Sequence, residues 1–148
     1  MITEDSIEIA APAQLVWQVF SDVERWPEWT ASVTSLVARD GAGLAIGKRF
    51  AIKQPGMSRL VWKVTEIDPG SSWTWIQRSP GVRVSARHWV IPQPDGRTLV
   101  RQQLDQRGVL GALVARLMIK KTRRFLEQEA RGLKTRAEDL SDTSGSHS

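Results

Sequence analysis

The chain has no cysteine. That excludes disulfides and thiolate chemistry, and it leaves any metal site to histidines and carboxylates. Histidine is nearly as scarce, with two in 148 residues, one of them in the last residues of the chain. No site built on two or three histidines can be assembled from that stock. No run approaches the roughly 18 apolar residues of a membrane span. The opening "MITEDSIEIAAP" carries acids where a secretion signal carries bases, so a cytoplasmic setting is expected. No serine stands in a nucleophile-elbow pattern. The glycines of "GAGLAIG", 41–47, lie between strand-like runs and not at a strand-to-helix turn, which makes them a poor phosphate cradle. No metal and no other cofactor is expected.

What is present points to one domain over residues 1–140, large enough to bury roughly 70% of its unfolded surface. The small, polar stretch 141–148, "SDTSGSHS", is expected to be a disordered tail. The net charge of +5 is uneven. Residues 107–136 hold nine Lys or Arg against Glu127 and Glu129, so the basic character belongs to one element.

Residues 3–9, "TEDSIEI", alternate as a strand. Pro12 suits the first turn of a helix on which Leu15, Val16, Val19 and Phe20 recur at helical spacing. Ser21 and Asp22 can cap a second short helix, which Pro27 limits. Six short runs rich in Val, Ile, Thr and Trp follow, separated by turn signals such as "PGM", "DPGS", "SPG" and "PQPDG". Such spacing predicts an antiparallel meander, because parallel pairing needs crossovers that are missing. From Val109 to about Leu140, apolar residues at 110, 113, 114, 117, 118, 125, 126, 133, 137 and 140 predict one helix of about 45 Å. Gly132 should weaken its second half by about 1 kcal/mol relative to alanine. The expected fold is α+β: a curved seven-stranded antiparallel sheet, two short helices after the first strand, and a long C-terminal helix laid across one face.

"IEIAAPAQLVWQVFSDVERWPEW" resembles the opening of the START-like, helix-grip (SRPBCC) superfamily, which includes polyketide cyclase/dehydrase-like and pollen-allergen-like lipid-binding proteins. The shared features are a strand ending in Ile, then Ala-Pro, an apolar helix with Val-Trp, then Asp and Pro-x-Trp. "VTEIDPGSSWTW" and "PDGRTLVRQQLDQRG" resemble its middle and final hairpins, and the resemblance covers residues 2–140. It implies a helix-grip fold around a cavity. In that arrangement the two short helices close the cavity mouth, with Trp26 and Trp29 lining or plugging it, or simply stapling those helices to the core. This fold hosts carriers, cyclases, hydratases and chaperone cofactors, so it carries no catalytic residue over.

Strand parity sorts the residues facing the helix. Phe50 and Ile52 share a face, as do Trp62 and Val64, Trp73 and Trp75, Val84, Ala86 and His88, and Val100 and Gln102. With Trp29, and with Leu113 and Leu117 of the long helix, these form the candidate ligand-binding set. The set is aromatic and aliphatic with a few hydrogen-bonding groups, the usual lining of a small-molecule site. A filled core would use the same residues. A bulge near His88 would exchange the faces of Trp89 and Ile91 with those of their neighbours.

His88 is the one candidate acid–base group, with Glu66 the nearest carboxylate by parity. The first functional expectation is binding or transport of a hydrophobic small molecule: a lipid, an isoprenoid or a polyketide-like ring. The second is a polyketide cyclase/dehydratase-type enzyme using the same cavity, and a third is an interaction module using the outer surface. The basic run "IKKTRRF", 119–125, is read as a solvated helix back or as a contact for an anionic membrane surface. Nothing interleaves aromatics with it, and nucleic acid is not an expected partner.

Overall fold

Strand β1 (Ile2–Ile9) opens the chain, and helix α1 (Ala13–Ser21) and a 3-10 turn (Val23–Glu28) follow it. The structure, a computed structural model, describes residues 1–145. Six strands come next: β2 (Ser35–Ala38), β3 (Arg49–Lys53), β4 (Leu60–Asp68), β5 (Ser72–Ser79), β6 (Val82–Pro92) and β7 (Thr98–Arg107). Helix α2 (Gly111–Gly145) closes the chain.

The seven strands form one antiparallel sheet in the order β1-β7-β6-β5-β4-β3-β2. The meander is consecutive from β2 to β7, and β1 adds itself beside β7. Since β1 and β2 lie on opposite edges, the segment holding α1 and the 3-10 turn carries the chain across one end of the sheet. The turns make this possible at low cost: Gly70, Gly81 and Gly96 between consecutive strands all have positive φ, which only glycine adopts freely. Among the described residues no helix is long and apolar enough to cross a membrane.

On β6, Val84, Ala86, His88 and Val90 are buried on the face that the helices cover, while Arg83 and Arg87 face water. The parity of this strand therefore holds to its end. Its register with β7 runs unbroken from Arg83 to Pro92, and Trp89 stays outside, beneath the Arg101 guanidinium. The irregularity lies on β4 instead, between Val64 and Glu66. Glu66 is exposed there, so it is no partner for His88.

Helix α2 differs from expectation in two ways. It continues past Leu140 to Gly145, so residues 141–145 are helical where a disordered tail was expected; Thr143 Oγ1 donates to the Asp139 carbonyl, closing a turn there (2.9 Å). Residues 146–148 lie outside the described residues. The buried line of the helix also runs through Ala115, Thr122, Phe125, Leu126, Glu129, Ala130, Leu133 and Ala137. Leu113 and Leu117 face solvent, at 57% and 76% exposure.

The second half of α2 is the anchored half. The Ala10 N–H donates to Glu138 Oε2 (2.8 Å), and Arg136 Nη2 donates to Glu28 Oε1 (2.8 Å). At Gly132 the helix backbone lies directly against Trp29: an added Cβ would fall on the Trp29 carbonyl oxygen and 3.1 Å from its ring atom Cε3. The absent side chain at Gly132 is thus what lets the helix seat.

Candidate functional site

Between the sheet and the first half of α2 lies a cavity of about 550 Å³. Small-molecule sites span roughly 300–1,000 Å³, so the size suits one ligand. The floor is aromatic. Trp26, Trp62 and Trp75 line it, with Trp75 5.6 Å from Trp26 and 6.1 Å from Trp62 between ring centres. Ala86 pairs across strands with Trp75 and Leu104, and its small side chain leaves the space beside that indole open. Val114, Met118, Phe125 and Leu126 roof it from α2.

Ile52, Trp62, Trp75, Val84, Ala86, His88 and Gln102 of the expected set do line the cavity. The rest do not. Phe50, Val64, Trp73 and Val100 are fully buried in solid packing beside it. The cavity and the filled core therefore coexist. Trp73 packs among Trp17, Phe20, Trp75 and His88, and that cluster is the filled part.

Trp29 is also outside the lining; it packs on Trp26 and on α2 at Gly132. Trp26 is inside, held by its Nε1–H donating to the Phe20 carbonyl (2.9 Å) and by stacking on Phe20. The two indoles of the proline-containing turn thus divide the work, one lining the site and the other seating the helix. Leu113 and Leu117 point away, because Val114 and Met118 occupy the inward positions of that part of the helix.

The opening is also not where it was expected. Besides Arg87, whose side chain is on the solvent face of β6, the exposed lining residues are Gly56, Ser58, Pro80 and Leu110, in the β3–β4 loop, the β5–β6 turn and the approach to α2. These lie at the end of the sheet away from α1. The short helices form the closed end, and Trp26 is floor, not plug. At the open end Lys121 Nζ donates to the Gly56 carbonyl (3.3 Å), tying the β3–β4 loop to α2.

His88 is 4.0 Å from Trp73 between ring centres and nearly parallel to it, with Phe20 edge-on at 5.4 Å. Its Nδ1 lies 3.2 Å from the Trp73 carbonyl, so the neutral ring donates there and keeps Nε2 as an acceptor. Burial pushes the imidazole down to about 3, against a small opposing effect of that hydrogen bond. A ring stacked on Trp73 whose burial keeps it neutral at physiological pH is a weak base, poorly matched to moving protons there.

The carboxyl that does reach the cavity is Glu129, which appears in the sequence only as one of the acids of a basic helix. It is 8% exposed, and Ser32 Oγ donates to its Oε1 (3.2 Å). Ser32 is in turn bonded to the Thr30 hydroxyl (2.8 Å). Burial pushes Glu129 up to about 8; the Ser32 bond opposes this and the charge of Asp5 adds to it. Spacing could have found it: 122, 125, 126, 129, 133 and 137 continue one helical stripe, with Thr122 and Glu129 as its polar members. Gln77, Gln102 and Gln106 supply further polar points from β5 and β7.

A family described as polyketide cyclase/dehydrase and lipid transport matches residues 2–138. A Streptomyces halstedii protein that bears the name of a polyketide cyclase is 29% identical over 83 residues, 56% of this chain and 65% of that one. A START superfamily protein from Mycobacterium smegmatis has the same fold, with a TM-score of 0.69 and 21% identity over 94% of this chain and 98% of its own. The di-domain ARO/CYC protein BexL, of the BE-7585A biosynthetic pathway, aligns with a TM-score of 0.70 and 20% identity, over 90% of this chain and 46% of its own.

Proposed function

We propose, from the premise that the chain belongs to the polyketide cyclase/dehydrase and lipid transport family, that it binds one hydrophobic, ring-containing small molecule between its sheet and α2. The observation that carries this reading is the cavity itself, with indole faces for floor and aliphatic side chains for roof. Flat ligands stack on indoles, and most of the lining offers nothing else. An enzyme of the cyclase or dehydratase type would use the same space and would run through Glu129. Acid–base catalysis of that kind calls for converging groups, and His88 is held neutral. Binding is therefore the reading preferred over turnover.

Leu113 and Leu117, exposed beside Arg116, Lys120 and Arg124, favour an anionic membrane as the surface where such a ligand would be loaded or released.

Native mass spectrometry of the purified protein tests the binding reading. A retained small-molecule mass at one per chain, lost on denaturation, is the expected result. A bare polypeptide mass that stays bare after incubation with hydroxylated and ketone-bearing polycyclic compounds contradicts it.

A further inference from the structure

The lining has one feature that a purely greasy pocket lacks. Three polar side chains that line the cavity, Gln102, Gln106 and Glu129, are each more than nine-tenths buried. Gln102, 3% exposed, donates through Nε2 to the Leu126 carbonyl (3.5 Å) and leaves its Oε1 without a partner. Gln106, four residues along the same face of β7 and 6% exposed, also has an unpartnered Oε1. Glu129 stands across from this strand on α2, with Ser32 bonded to one carboxyl oxygen. Buried polar atoms without partners cost free energy, and a ligand that satisfies them recovers it.

Asp5 on β1 is paired with Gln102 and so faces α2. Burial raises Asp5, and Glu127 raises it further, while its own backbone contact at Ser6 and Arg131 act the other way. The segment before β2 offers Thr30 and Ser32, which are uncharged, and β6 offers His88, which burial keeps neutral. Arg87 borders the cavity from β6, but its side chain is on the solvent face of the sheet. Among the described residues, the cavity lining therefore offers no cationic side chain turned inward to hold an anion beside Glu129.

We propose that Glu129 serves as an uncharged carboxylic acid that donates a hydrogen bond to a carbonyl or ether oxygen of the ligand, while the Gln102 and Gln106 amides turn their buried, unpartnered oxygens toward the cavity to accept from its hydroxyls. The cavity then selects neutral oxygenated ring compounds and refuses carboxylates, fatty acids among them. This inference rests on the binding reading above and narrows it. The raised Glu129 carboxyl, at about 8, places the acid form at neutral pH. Below that point the donor is present. Above it the carboxylate can no longer donate, and it repels the ligand's oxygen, so affinity falls as pH rises.

The test uses the neutral naphthyl ketone dye prodan, followed by its fluorescence, at about pH 6 and about pH 9.5. Wild type is expected to lose affinity by about tenfold or more between them. Glu129→Gln keeps an N–H donor and cannot ionise, so its affinity is expected to be the same at both. Naphthoic acid, ionised at both, is expected not to compete. An infrared difference spectrum of wild type against Glu129→Gln at about pH 6 should show the stretch of a protonated carboxyl. Equal prodan affinity at the two pH values in wild type, an equal fall in Glu129→Gln, or competition by naphthoic acid overturns the inference and leaves the binding reading standing. Failure of prodan to bind at either pH removes both.

Discussion

Gly132→Ala is expected to destabilise the protein by about 3 kcal/mol or more, against the direction helix propensity dictates. Alanine in mid-helix gains about 1 kcal/mol over glycine. At this position the new methyl would lie on the Trp29 carbonyl oxygen and 3.0 Å from the carbonyl carbon. Those are backbone atoms and cannot rotate away, so α2 would have to lift. Lifting it breaks the contacts of Glu138 with Ala10 and of Arg136 with Glu28, and it opens the closed end of the cavity. With 2–4 °C per kcal/mol for chains somewhat larger than this one, the loss in Tm should be on the order of 10 °C. Thr135→Ala, on the exposed side of the same helix, should leave Tm level or raise it slightly. Thermal denaturation of the two variants side by side reads this out. A Gly132→Ala protein as stable as wild type would mean that α2 does not sit on Trp29.

Ala86→Phe should weaken ligand binding sharply without unfolding the chain. Ala86 is the small residue of the cavity floor, cross-strand from Trp75 and Leu104. A phenyl group there projects into empty space, not into packed side chains, and it takes the volume next to the indole that a ring would use. The expected loss of affinity for prodan is roughly a hundredfold, about 2.7 kcal/mol. Tm should hold or rise, because the new side chain buries apolar surface in a void. Isothermal titration with a parallel melting curve separates the two effects. Retained affinity with retained stability would place the bound molecule elsewhere.

The architecture was legible because its signals are local and repeated. Strand-length runs of Val, Ile, Thr and Trp are cut by turn glycines, and a single long amphipathic stretch ends the chain. Helix-face assignments were less legible. Apolar periodicity counts Leu113 and Leu117 as core, yet the helix shows them to water and turns Thr122 and Glu129 inward. A cavity explains the exchange, since residues over a hollow need not be apolar. Glu129 reads as one more surface acid because the groups that set its surroundings, the Ser32 hydroxyl and the Asp5 charge, are distant in sequence. Gly132 shows the same limit: its propensity cost is readable from the sequence, whereas the Trp29 carbonyl against it exists only after folding. Trp26 and Trp29 could not be told apart by spacing, because one proline-containing turn points them at different elements.

The central claim is that a ligand enters the space between the sheet and the first half of α2. Intermolecular nuclear Overhauser effects between bound prodan and the protein's methyl groups test it most directly. Contacts to Ala86, Met118 and Val84 are the predicted result. Contacts confined to Leu113 and Leu117 on the outer face of α2, or none at all with prodan bound, would contradict it.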